Sequence, residues 1–150
     1  MKRLRVYGAI LVVLLSIIST VVGAVFVTQG LSTKQFIVDG LRAEKVTLGI
    51  EESAVKAGEI VDTEQEARVA AVTLTQHLRD RYGTYADTKQ GSPERTTYVQ
   101  GLTLLNSLNE VVMGFGTVTM VIVSGVLLIT MGLATGTVGV AMVGLARRVT

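Results

Sequence analysis

Hydrophobic and polar positions divide the chain into three blocks. Val6 to Val27 reads VYGAILVVLLSIISTVVGAVFV, 22 residues without a charge. Val111 to Ala146 is a second uncharged stretch, 36 residues long. All twelve Asp and Glu residues lie between the two, from Asp39 to Glu110. A helix exposed to water needs charge on its outer face. Neither stretch has any, so lipid is the solvent both fit. As a helix the first would reach about 33 Å, against a hydrocarbon core of about 30 Å. Residues 6–28 are therefore predicted to form the first transmembrane helix. A cleaved signal peptide is the rival, with Lys2, Arg3 and Arg5 before it and Val22-Gly23-Ala24 as the cut. A signal's apolar region runs about 7–15 residues. This one is longer, so an uncleaved anchor is expected.

The second stretch, residues 111–146, would reach about 54 Å as one helix, too long for a single crossing. Either its first part stands outside the bilayer, or it folds as two short spans with a turn near Gly132 to Gly136. One span returns Arg147 and Arg148 to the side of Lys2, Arg3 and Arg5, as the positive-inside rule prefers. The expectation is a stalk followed by one span, with residues 1–5 and 147–150 cytoplasmic. Gly132 and Gly136 form a GxxxG pair, a spacing that lets helix backbones approach closely in lipid.

Residues 29–110 make up the predicted extracytoplasmic domain. Gln29 to Val38 should continue or cap the first helix, and Asp39-Gly40 should break it. Glu44 to Leu48 reads as extended, and residues 49–62, with Gly49 and Gly58, as loop. Thr63-Glu64-Gln65-Glu66 is a capping box. Ala67, Ala70, Ala71, Leu74, Leu78 and Tyr82 then share a face at helical spacing, and Gly83 follows where a left-handed residue ends a helix. These signals predict a helix over 64–82. Thr84 to Gly91 reads as a polar loop. Ser92-Pro93-Glu94 starts another helix, predicted over 93–110, which could run on into the membrane segment. Tyr98, Leu102, Leu104, Leu105, Leu108, Val111 and Val112 supply its apolar face. The fold class is thus mainly α: a hairpin of two membrane helices around a small helical domain.

Charge changes the picture little. The net charge is +2, yet residues 34–110 carry nine basic and twelve acidic groups, or −3. No single basic segment could form a nucleic-acid patch, so nucleic acid is excluded as a partner. The chain has no cysteine, which excludes disulfides, thiolate metal sites and a cysteine nucleophile.

Candidate chemistry is sparse. His77 is the only histidine, three residues before Asp80 and four before Arg81. It can act as an interfacial polar group or, less simply, as a pH sensor. The acids around Glu51-Glu52 and Glu59 to Glu66 do not match the spacing of an EF-hand loop and read as a solvated surface. No G-x-S-x-G elbow, Walker loop or dinucleotide fingerprint is present. No ionisable residue lies inside either span, which argues against a pump. No catalytic residue, metal or cofactor is assigned. His77 with Tyr82, Tyr85 and Tyr98 form a candidate ligand-binding set; the alternative role for the tyrosines is to fill a thin core. So small a domain should bury some apolar surface against a second copy or another membrane protein.

Several short pieces occur in a familiar order. They are Glu44-Lys45-Val46-Thr47, Gly58-Glu59-Ile60-Val61, the alanine-rich helix to His77, Gly83-Thr84-Tyr85-Ala86-Asp87, and Pro93-Glu94-Arg95-Thr96-Thr97. Over residues 40–110 and in the layout of both ends, the chain resembles small two-span actinobacterial membrane proteins of unassigned function. Some proteins of that kind are described as aromatic ring-opening dioxygenases. A single histidine cannot build a two-His-one-carboxylate iron site within one chain. The expected function is a non-enzymatic plasma-membrane scaffold or accessory subunit acting through its extracytoplasmic helices. A sensor or binder of a small molecule or lipid is the alternative.

Overall fold

The structure, a computed structural model, describes residues 2–45, 47, 58 and 60–148, with side chains from Val6 to Leu145 among them. It is mainly α, as the sequence predicts. The elements are α1 (Lys2–Ala43), α2 (Glu64–Tyr82), a short 3₁₀ turn (Tyr85–Asp87) and α3 (Pro93–Arg148). Among the described residues no strand forms; Thr47 and Ile60 make one isolated antiparallel bridge. The chain divides into two compact units, Met1–Thr33 with Val118–Thr150, and Lys34–Thr117.

Two helices, Val6–Ala43 and Pro93–Leu145, are long and apolar enough to cross a membrane. In their most apolar stretches only 11% and 17% of residues are buried. The core helix of a water-soluble domain would be mostly buried, so these helices turn apolar surface outward. In the first unit, Leu14, Ile18, Leu127 and Leu133 are each more than half exposed. What is buried there is small: Ala9, Ser16, Gly23 and Gly30 on α1, and Val118, Gly125, Gly132 and Gly139 on α3. Within each set the residues are seven apart. Seven is the spacing at which one face of a helix stays on its partner in a left-handed pair.

The second unit is built the ordinary way round. Val61 and Ala67 are fully buried, with Val69, Ala70, Val111 and Val112 packed against them. On α2, Ala67, Ala71 and Leu78 face inward, and on α3 Tyr98, Leu108 and Phe115 do so. The cap of α2 forms as the sequence predicts. The Glu66 amide donates to the Thr63 hydroxyl at 3.3 Å, and the Thr63 amide donates to the Glu66 carboxylate at 3.0 Å. The Asp62 amide shares that carboxylate at 2.9 Å. Such a cap is worth about 1 kcal/mol. Gly83 ends α2 at φ 72°, ψ −138°, a conformation that side chains rarely adopt. At the start of α3 the Arg95 amide donates to the Ser92 hydroxyl at 3.2 Å.

Four expectations are corrected. Asp39-Gly40 does not break α1, which runs on to Ala43. The Gln35 side chain donates to Asp39 at 2.7 Å one turn away, and Leu41 is buried, so contacts outweigh the modest penalty of one helical glycine. Glu44 and Lys45 are not extended; they form a turn in which Lys45 has φ 49°. Val46, Leu48, Gly49, Glu51, Glu52 and Glu59 lie outside the described residues. The polar loop after Gly83 contains the 3₁₀ turn. Leu104, expected on the apolar face of α3, is 46% exposed. α3 itself passes through Gly132 and Gly136 as one unbroken helix. The turn that two short spans would need is absent there, and the expected 93–110 helix and the second apolar segment are one element.

Candidate functional site

Two places in the molecule bring together residues singled out by the sequence, one in each unit. In the first unit α1 and α3 run antiparallel, because their contacts descend in one number as they rise in the other. Gly30 meets Ile122, Gly23 meets Gly125, Thr20 meets Gly132, Ser16 meets Gly136 and Val13 meets Gly139. The approach is close. A β-carbon on Gly125 would lie 2.7 Å from the Gly23 carbonyl oxygen and 2.9 Å from the Val27 amide nitrogen. One on Gly132 would meet the Ser16 carbonyl oxygen at 2.8 Å. Backbone atoms cannot step aside as a flexible side chain can.

The polar groups of this seam are satisfied internally. Ser19 donates to the Leu128 carbonyl across the helix pair at 3.0 Å. Ser16 and Thr20 donate to the Val13 and Ser16 carbonyls at 2.7 and 2.8 Å. A groove of about 590 Å³ opens along one side, with Ser16, Thr20, Gly132 and Gly136 among its walls. Gly132 and Gly136 thus pack within the chain, against Ser16 and Thr20. The GxxxG pair is only part of this seam. Gly23, Gly30, Gly125 and Gly139 belong to it too, and the signal that finds them is the seven-residue spacing.

In the second unit, α2 and α3 press together where Gly101 leaves room for Leu78, and they carry three of the four candidate residues. The Tyr82 and Tyr98 rings meet edge to face at 6.2 Å, and Tyr85 lies 6.2 Å from Tyr98. Tyr98 is buried, Tyr82 half-buried and Tyr85 exposed. The Arg95 guanidinium stacks on Tyr85, 4.1 Å from the ring centre, and donates to the Thr88 carbonyl at 3.0 Å. Thr88 in turn donates to the Tyr85 carbonyl at 2.8 Å. The three tyrosines and Arg95 therefore hold the loop between α2 and α3 in place. Arg95 and Thr88 were not among the residues singled out from sequence, and no spacing rule points to them.

His77 shares a groove with Tyr82 of this cluster. It is exposed and lines an open groove of about 530 Å³ with Leu78, Asp80, Arg81, Tyr82 and Thr97. Arg81 sits over the Tyr82 ring at 5.7 Å. Two carboxylates near this end are held below their ordinary range. For Asp87 the cause is first the Thr84 amide and then the Thr84 hydroxyl, which donate to it at 2.6 and 2.7 Å. For Glu94 it is first its own backbone amide and then the Ser92 hydroxyl. Among the described residues no group of three or more His, Cys, Asp and Glu could hold a metal ion.

No protein-family model, curated protein or solved structure matches the chain.

Proposed function

We propose that the protein is a non-enzymatic integral membrane protein, a scaffold or accessory subunit that acts through its second unit. On this reading both basic ends are cytoplasmic and the second unit lies outside the cytoplasm. The observation that carries the membrane assignment is the inverted first unit, with small and hydroxyl residues inside and large aliphatic ones outside. Charge supports the orientation, since five basic residues flank the two apolar helices and every acidic residue lies between them. The resemblance to two-span actinobacterial membrane proteins agrees with the same layout.

The subunit role is favoured over small-molecule binding by the openness of the groove beside His77. A small-molecule site encloses most of its ligand, whereas His77, Asp80, Arg81 and Thr97 are all exposed. The natural absence of cysteine makes topology simple to test. Gln90→Cys should react with a membrane-impermeant maleimide on intact cells, and Lys2→Cys only after permeabilisation; the reverse pattern would contradict the orientation. Purification in mild detergent should recover a protein partner, or a second copy, in fixed stoichiometry. A chain that runs alone as a stable monomer would contradict the subunit role.

A further inference from the structure

The seam of the first unit leads along both helices to one end. Its last contact in that direction is Val13 with Gly139. Eight residues further back along α1 lies Arg5, and eight further on along α3 lies Arg147. Each stands about 12 Å beyond that contact. Ala9, halfway from Val13 to Arg5, is still buried, so the pair stays closed that far. Packed helices have axes about 8–10 Å apart. Lys2, Arg3 and Arg5 in the first turn of α1 therefore border one patch with Arg147 and Arg148 at the end of α3.

That patch has no acidic side chain in its own unit. Met1–Thr33 with Val118–Thr150 holds these five basic residues and no Asp, Glu or His. The helix dipoles do not set the sign, because the N-terminus of α1 and the C-terminus of α3 lie side by side and offset each other. An acidic group that neutralises the five side chains therefore comes from outside the unit. Aliphatic surface begins directly beside them, with Ile10 and Leu11 on α1 and Met142 and Leu145 on α3 exposed. Tyr7, the unit's single tyrosine, is exposed there too. Such a ring favours the level at which headgroups meet hydrocarbon.

We propose that this end of the first unit binds the headgroup of an anionic phospholipid in preference to a zwitterionic one. Basic residues from both helix ends neutralise the phosphate, and the acyl chains lie along the aliphatic surface next to it. Lys and Arg at the cytoplasmic end of a membrane helix attract anionic lipid in this way. A zwitterionic headgroup carries its own cation beside the phosphate and gains less. A soluble anion would match the charge and leave the aliphatic flank unused. This assignment rests on the membrane reading, and it adds the class of lipid that the protein selects.

The test uses the full-length chain in phosphatidylcholine bilayers with a trace of spin-labelled phosphatidylglycerol or spin-labelled phosphatidylcholine. Both leaflets then have one composition, so the orientation of the chain does not enter. Electron spin resonance separates lipid held at the protein from lipid in the free bilayer. The held share should favour phosphatidylglycerol about fivefold, the size of one close contact between a basic residue and an anionic headgroup. That preference should shrink toward one as ionic strength rises from about 0.01 M to 1 M and the screening length falls from about 30 Å to 3 Å. Lys2→Gln, Arg3→Gln and Arg5→Gln together should lower it, and so should Arg147→Gln with Arg148→Gln. Equal retention of the two lipids would overturn the proposal and leave the membrane reading intact. A preference unmoved by salt would overturn it as well, and a response to one helix end alone would overturn the shared patch. Sodium phosphate weakening the preference more than sodium chloride of equal ionic strength would assign the patch to a soluble anion instead. No held lipid of either kind would contradict the membrane reading itself.

Discussion

The two units use the same backbone element and opposite rules for filling it. In Lys34–Thr117, apolar side chains such as Val61, Leu78 and Leu108 are buried and the charges face outward. In the unit of Met1–Thr33 and Val118–Thr150, the interior is glycine, alanine and serine with the single larger Val118 among the described residues, and Leu, Ile, Val and Met cover the outside. Water drives the first arrangement, because burying apolar surface is the main gain available. On the membrane reading lipid removes that gain, and helices then hold together by close backbone approach and hydrogen bonds such as Ser19 to Leu128. A large side chain stabilises one unit where it would pry the other apart.

The largest expected effect breaks the comparison at its closest point. Gly125→Ala puts a methyl group within 3 Å of two backbone atoms of α1, and overpacking of this kind costs about 1–3 kcal/mol or more. Gly116→Ala, where nothing lies within 4 Å, should instead be neutral or stabilise by about 0.5–1 kcal/mol through helix propensity. Reversible unfolding in mixed micelles would read both. Equal effects would mean that the glycine seam does not hold the pair together.

Next comes Gly83→Ala in the water-type unit. Its φ of 72° opposes any side chain, and the new β-carbon would lie 2.7 Å from the Asp87 carboxylate. Backbone strain of this sort costs about 1–3 kcal/mol. Hydrogen exchange should show the loss in α2 and the following loop, with the α1 and α3 amides of the first unit unchanged.

The smallest effect is a pH dependence confined to the second unit. Asp87 and Glu94 have depressed folded-state pKa values, from ordinary values of 3.8 and 4.5. The unfolded state therefore binds protons more readily. Their stabilisation is present above those ordinary values and is lost as pH falls through the depressed ones. The loop amides should lose protection, relative to the intrinsic exchange rate at each pH, as the solution is acidified below about pH 4.5. Asp87→Asn should flatten the part of that response that comes from Thr84.

Much of the fold is legible in the residues themselves. Thr63, Glu66 and Gly83 mark both ends of α2, and Ser92-Pro93 marks the start of α3, because caps act over three or four positions and need no tertiary context. Asp39-Gly40 misleads for the converse reason. Its local signal is a break, and what overrides it is the burial of Leu41 and the Gln35–Asp39 bond. The seam was half legible. Gly132 and Gly136 stand out at a four-residue spacing, while the packing repeats at seven and includes Ala9 and Ser16, which carry no signal alone. The tyrosines could be grouped from sequence, but Arg95 and Thr88 could not. Their roles arise only when the loop folds back onto α3.

Ile18 and Val72 put the central claim to the most direct test. Both are aliphatic, and they are similarly exposed, at 58% and 52%. On the membrane reading lipid surrounds the first and water the second. A spin label on Ile18→Cys and another on Val72→Cys, each the sole cysteine of the reconstituted chain, would report collision with oxygen and with a nickel chelate. Oxygen should dominate at position 18 and the chelate at position 72. Dominance of the chelate at both positions would mean that water covers the first unit, and the membrane assignment would be wrong.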